Sequence, residues 1–210
     1  DETVGLGQTP RGRLTVAAPL TVLNRVLAPE LNGFMDLYPE INIELQAVAY
    51  DALPLAGADI SLSRRIDAFD SGAFVGRSLC SYQNQLFAAP AYLKERGTPS
   101  NIKDLEAHNC LLYGLGKNNS SWQFVKQQEV DVTGKFASDN TEVIISATLR
   151  GQGIAYIPAL IIQDELKRGD LVPVLEGAHS EPFEMWAYYQ KLDFIPHKLR
   201  VFLDYFKEIW

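Results

Sequence analysis

Three histidines, two cysteines, a scatter of carboxylates and one arginine pair are the side chains of this sequence with chemistry to offer, and their spacing decides against most of it. His108, His179 and His197 lie far apart and show none of the short separations that metal ligands share, so no metal is expected. The carboxylates fall singly on expected helix faces and turns. No GxSxG, HExxH or Walker loop occurs, and the Gly-containing "YGLGKNNS" lacks both the spacing and the following helix of a phosphate loop. Cys80 and Cys110 are too few for a disulfide framework, and their apolar, strand-like surroundings suit free buried thiols. Asn118 and Asn119 begin formal glycosylation sequons, with no secretory context to give them meaning. With no nucleophile, base or metal constellation and no cofactor motif, the sequence reads as a binding module and not as an enzyme.

The chemistry left is hydrogen bonding and charge at the ends of elements. In "ASDNTEVIISATLRGQGIAYIPALI", residues 137–161, Asp139 or Asn140 caps a helix with Glu142 as the capping-box partner, and Val143, Ile144, Ala147 and Thr148 form its apolar stripe. Gly151 and Gly153 end it, "IAYI" reads as a buried strand, and Pro158 opens a further helix. A capped helix that follows a strand ("GKFAS") directs its first amide donors above a sheet edge, where anions and polar ligands are favoured.

Elements that would position such a site alternate along the whole chain. "GRLTVAAP" gives a strand at about 13–18, followed by a helical region with Leu23, Leu27, Leu31, Phe34 and Tyr38, which Pro29 kinks or restarts. "INIELQAV" and "DISLS" are the next strands, with a short helix expected in "DALPLAGA" between them. Three strands with helical connections make a parallel βαβ sheet. The second half repeats the logic: strand "NQLFAAP", helix "AYLKERG" ended by Gly97, short helix "NIKDLEA" capped by Ser100, strand "NCLLYG", hairpin "WQFVKQQEVDVTGKF", then the 140–149 helix and strand "GIAYIP". The helix "ALIIQDELKRG" and the strands "LVPVL" and "FEMWAYYQ" follow, and the last segment places Leu199, Phe202, Leu203, Phe206 and Ile209 on one face of a core helix. No Gly/Ser linker separates the halves. Two lobes joined by strands are therefore expected, with crossings at "SLCSYQN" (78–84) and "WAYYQ" (186–190) and a ligand cleft between the lobes.

Composition agrees with a folded chain: 210 residues, 47% hydrophobic, formal net charge −7. That charge, with basic runs no longer than pairs such as Arg64-Arg65, argues against nucleic-acid binding by this segment itself. No apolar stretch approaches the ~20 residues needed to span a bilayer, and no charged-then-apolar leader precedes "DETVGLGQTPRG".

Several ordered stretches carry a resemblance. "GRLTVAAPLTVLNRVLAPELNGFMDLYPEINIEL", "GADISLS", "GRSL", "LFAAPAYLKERGTPSNIKDLEAHNCLLY", Trp122 with Phe124, "GKFASDNTEVIISATLRGQGIAYIPALI" and "LKRGDLVPVL" resemble the effector-binding domain of LysR-type transcriptional regulators over about residues 12–207. The resemblance implies an α/β fold of two Rossmann-like subdomains joined by two crossover strands, like a type 2 periplasmic binding protein. It implies residues 13–81 with 190–210 as subdomain I, 82–189 as subdomain II, and 1–12 as the end of a linker or a remnant outside the folded domain. The implied function is the sensing of a small molecule by a cytoplasmic bacterial regulator that is no enzyme and uses no cofactor; apart from the resemblance, the amide donors at the helix starts and the charge of Arg64 favour an organic acid as that molecule. DNA would be bound only by an N-terminal winged helix-turn-helix absent from this sequence. "SLSRRI" departs from the family's commoner single arginine and leaves Arg64 and Arg65 as rival candidates. The alternative is a periplasmic-type solute-binding protein of a transporter, which shares the architecture.

Under this resemblance the effector-binding residues are Ala18, Pro19, Leu20, Thr21, Ser63 and Arg64 from one lobe, and Tyr82, Gln83, Tyr113, Asn140, Thr141, Ile157 and Pro158 from the other. A homodimer, with a tetramer left open for the intact protein, would pair faces bearing Val26, Glu30 and Phe34 with Ile145 and Leu149.

Overall fold

The computed structural model describes residues 9–116 and 120–210; the first eight residues and the sequons at Asn118 and Asn119 lie outside the described residues. The chain forms two compact units, one running to Ser81 and resuming as Phe183–Trp210, the other Tyr82–Pro182.

The first unit opens with β1 (Gly12–Ala18), α1 (Leu20–Val22), a π turn at Leu23–Leu27, a 3-10 turn at Ala28–Glu30 and α2 (Leu31–Leu37). Pro29 accounts for the broken geometry. It has no amide to donate and its ring crowds the preceding turn, so regular α hydrogen bonding cannot run through it. Then come β2 (Ile41–Ala47), a 3-10 turn at Tyr50–Ala52, β3 (Ile60–Arg64) and β4 (Phe74–Tyr82). The helix expected in "DALPLAGA" is only that turn, because Pro54 holds Leu53 in an extended conformation (φ −96°, ψ 147°).

The second unit contains β5 (Asn84–Ala88), α3 (Pro90–Arg96), a 3-10 helix at Ile102–Ala107, β6 (Cys110–Tyr113), β7 (Ser121–Phe124), β8 (Gln128–Asp131), β9 (Phe136–Ser138), α4 (Thr141–Leu149), β10 (Ile154–Pro158), α5 (Gln163–Arg168) and β11 (Val172–His179). The chain returns to the first unit as β12 (Phe183–Gln190) and α6 (His197–Ile209). The return therefore falls at Phe183 and not at the expected residue 190. The whole of β12 belongs with the first sheet because it pairs antiparallel with β3, Trp186 opposite Ser63 and Tyr188 opposite Ser61.

In the first sheet the order is β2-β1-β3-β12-β4, with β1 parallel to both β2 and β3. Its core is Leu14, Val16, Leu27, Ile60 and Leu62 against Phe202, Leu203 and Phe206 of α6. Phe34 sits in the middle of this core, fully buried, with ring centroids 5.5 Å from Phe202 and 4.9 Å from Tyr38. Ile209, expected on the same α6 face, is 42% exposed at the last turn, beyond the packed stretch. The second sheet has the order β11-β5-β10-β6-β9, with β7 and β8 a separate hairpin. Ile144, Ile145, Ala147 and Thr148 bury one side of α4. Gly153 allows the tight return into β10: a Cβ there would lie 2.3 Å from the carbonyl oxygen of Asn109.

Two further expectations are corrected. Ser100 does not cap the 102–107 helix. Asn101 does, accepting from the Lys103 amide at 2.9 Å, while Asp104 takes the Asn101 amide and both donors of Ser100. Val26, Phe34 and Ile145, assigned to a subunit interface, are buried within their own units, so they present no open face to a partner. Glu30 is exposed and Leu149 half-buried. The apolar periodicity that suggested an interface is the core pattern of each helix.

Candidate functional site

Strands β1, β2 and β3 run parallel, so their C-terminal ends share one edge of the first sheet. Here β1 turns at Pro19 into α1, the Leu23 amide closing the first turn onto the Pro19 carbonyl at 3.1 Å. Leu20 is 46% exposed and Thr21 half-buried. Ala18 is buried and offers this edge only its carbonyl, which accepts from Val48 at 3.1 Å.

Arg64, the last residue of β3, brings a positive charge to this edge. Its guanidinium carbon lies 4.6 Å from the ring centroid of Tyr50, a residue the sequence reading passed over. The Tyr50 hydroxyl donates long bonds of 3.4 Å to the carbonyls of Arg64 and Arg65. Ser63, buried, donates its hydroxyl to the Arg64 carbonyl at 2.6 Å, which commits its one donor. Arg64 is exposed, and among the described residues no carboxylate lies within ion-pair distance of it. Arg65 differs. It pairs with Asp67 at 3.6 Å and lies 5.7 Å from the Trp186 ring centroid.

In the second unit the corresponding edge is made by β6, β9 and β10. Tyr113 stands opposite Ser138, and Pro158 opposite Asn84, which follows Tyr82 and Gln83. Tyr113 is 52% exposed; Tyr82, Gln83 and Pro158 are half-buried, and Ile157 is core. Asn140 is the cap of α4, accepting from the Glu142 amide at 2.9 Å, while its own amide donates to Ser138 at 3.1 Å. One of the α4 donors expected to face a ligand is therefore already taken by the cap. Thr141 is half-buried beside it.

The other groups with potential chemistry lie elsewhere. Burial pushes the Cys110 thiol up to about 12 and raises Cys80 in the same direction, which keeps both protonated and poorly nucleophilic near neutrality. His108 accepts or donates at Nδ1 with Tyr92 at 3.1 Å, and Asn109 donates its amide to the same hydroxyl at 3.0 Å, a structural link between α3 and β6. Among the described residues no group of three or more His, Cys, Asp or Glu could hold a metal ion, and no helix is long and apolar enough to cross a membrane. A groove of about 540 Å³ in the second unit runs beside the β11 bulge, lined by Phe87, Leu166, Leu171 and Leu175, and contains none of the residues named for the site.

Comparison with known proteins gives one consistent picture. The family profile described as the LysR substrate binding domain matches residues 7–210. The chain is 29% identical over 216 residues to the probable HTH-type transcriptional regulator LtrA of Klebsiella pneumoniae, covering 99% of this chain and 69% of that protein. It resembles the regulatory domain of CrgA, a LysR-type transcriptional regulator from Neisseria meningitidis, with a TM-score of 0.82 at 28% identity over 95% of this chain and 98% of that one. The full-length Vibrio cholerae virulence activator AphB matches with a TM-score of 0.76 at 28% identity, over 97% of this chain and 70% of that one.

Proposed function

The chain belongs to the LysR substrate-binding-domain family, the effector-binding regulatory part of LysR-type transcription regulators, and from that premise we propose that it senses a small organic acid. Its relatives are transcriptional regulators, a family that is not enzymatic, and members bind DNA and oligomerise. In our reading the chain's own part is sensing. Its net charge of −7 favours DNA contact through a separate part of the intact protein, in the cytoplasm, with the domain as a homodimer.

One observation carries the choice of an acid: Arg64 stands at the C-terminal edge of a parallel sheet with no carboxylate partner among the described residues, in a chain with an excess of acidic groups. Clusters of polar groups at strand C-termini are where α/β proteins take small ligands. Pro19, Leu20 and Thr21 with Arg64, and Tyr82, Gln83, Tyr113, Asn140, Thr141 and Pro158, are the residues we assign to effector contact. Ala18, Ser63 and Ile157 are buried and support the edge from behind.

The test is a thermal-shift screen of organic acids against their amides, with wild type and Thr21→Val. An effector at ~100 times its Kd stabilises by about 2.7 kcal/mol, or roughly 5–11 °C in Tm for a chain of this size. Acids that raise Tm where amides do not, with a smaller rise in the variant, support the reading. Amides as effective as acids remove the organic-acid assignment.

A further inference from the structure

We propose that Tyr50 is a positioning residue that holds Arg64 for two-pronged capture of a carboxylate, and that Arg65 takes no part; this rests on the organic-acid reading above. The pair at 64 and 65 is indistinguishable in sequence, and the structure separates its members. Arg65 has a carboxylate already, Asp67 at 3.6 Å. Arg64 has none among the described residues, and its backbone and side chain are both held in place. The Ser63 and Tyr50 hydroxyls converge on its carbonyl, at 2.6 and 3.4 Å, and the Tyr50 ring lies under its guanidinium at 4.6 Å.

An aromatic face meets a guanidinium through the negative centre of its ring and leaves the N–H edges unoccupied. Those edges match the two oxygens of a carboxylate in a planar, parallel arrangement that an ammonium cannot reproduce. Tyr50 itself is placed by sequence-local means. It opens the 3-10 turn after β2, with Leu53 donating back to its carbonyl at 3.3 Å, and Val48 fastens the start of that loop to Ala18 at the end of β1. Restricting a long arginine side chain in advance lowers the ordering cost that a ligand would otherwise meet.

The experiment is an NMR titration of the domain with benzoate, and with benzamide as its uncharged counterpart, following the arginine Nε–H resonances; Arg64 is assigned by the signal lost in Arg64→Gln. Benzoate is expected to shift Arg64 but not Arg65, and benzamide neither. Arg64→Gln should weaken benzoate about 10- to 100-fold, since a charge-assisted pair is lost. Arg65→Gln should leave it unchanged. Tyr50→Leu should weaken it about 2- to 5-fold, the worth of an exposed cation–π contact, and Tyr50→Phe should restore most of that affinity. A shift at Arg65 alone, no shift at Arg64 up to the solubility limit of benzoate, or equal affinity in Tyr50→Leu and wild type overturns the proposal. If acids from the thermal screen still bind in preference to their amides after Arg64→Gln, the organic-acid reading stands and this subsite falls.

Discussion

Replacing Gly134 by alanine should damage the second unit more than its single added methyl suggests. The residue lies between β8 and β9, where a Cβ would stand 1.8 Å from the carbonyl oxygen of Cys110 and 3.0 Å from its carbonyl carbon. Both are backbone atoms of β6, so no side chain can swing away. Against an ordinary non-bonded separation of ~3.5 Å the backbones must part by roughly 1.7 Å. Two bonds flank this contact and would stretch with it, Cys110 to the Thr133 carbonyl at 2.9 Å and Lys135 to the Asn109 side chain at 2.9 Å. Overpacking costs typically about 1–3 kcal/mol, and each weakened bond adds up to about 1 kcal/mol, so the expected loss is about 3 kcal/mol. That is a fall in Tm of about 6–12 °C. The assay is urea and thermal unfolding by circular dichroism, with Gly57→Ala as control: Gly57 has no atom within 4 Å of its would-be Cβ and no positive φ, so its variant should match wild type or gain up to ~1 kcal/mol. Because β9 feeds directly into α4, Gly134→Ala should also shift the amide resonances of Ser138, Asn140 and Thr141. A change in stability below ~0.5 kcal/mol for Gly134→Ala would refute the steric reasoning.

Two further outcomes follow from single groups. The Cys110 thiol is pushed by burial from 9.0 to about 12 in the folded chain, so between those pH values the unfolded form has lost its proton while the folded form keeps it. This contribution to stability is intact below pH ~9 and is lost at about 1.4 kcal/mol per pH unit as pH rises toward ~12; Cys110→Ala should show a shallower alkaline slope in unfolding experiments, and identical slopes would contradict the burial argument. Asn140→Ala removes the acceptor for the Glu142 amide and should cost about 1 kcal/mol in urea unfolding, whereas Asn140→Asp should retain most of the stability; equal losses in the two would show that the cap contributes nothing.

The fold was legible where periodicity and punctuation agree. α6 announces itself by Leu199, Phe202, Leu203 and Phe206 at helical spacing, all four buried, and α4 by a polar cap, two closing glycines and an apolar stripe of which Ile144, Ala147 and Thr148 are buried while Val143 is exposed and Ile145 takes its place in the core. The same periodicity misled at Val26, Phe34 and Ile145. An apolar stripe states that a face is covered and is silent on whether the cover is the same unit or another copy, and here the unit's own core supplies it. Local competition also escaped the reading. Ser100 and Asn101 are both good caps, and what decides between them is Asp104, which occupies the donors of Ser100 and leaves the Asn101 side chain to accept from Lys103. The return of the chain to the first unit was misplaced for a related reason: β12 is tyrosine-bearing and strand-like throughout, and only its pairing with β3 shows to which sheet it belongs.

The site was legible as a set of element ends but not as a set of chemical roles. Ala18, Ser63 and Ile157 sit at strand ends, where a sequence reading puts ligand contacts, yet all three are buried, and the one donor of Ser63 goes to its neighbour's carbonyl. Conversely, nothing in "AVAYDALP" marks Tyr50 as a neighbour of Arg64, because that partner lies fourteen positions later in the chain and reaches it only once β2 and β3 lie in one sheet. Charge in a sequence is a count, whereas charge available to a ligand is what remains after the protein's own acids have been paired. Arg64 and Arg65 contribute equally to the count and unequally to the remainder, and the difference is one nearby aspartate: Asp67 pairs with Arg65, while among the described residues no carboxylate pairs with Arg64.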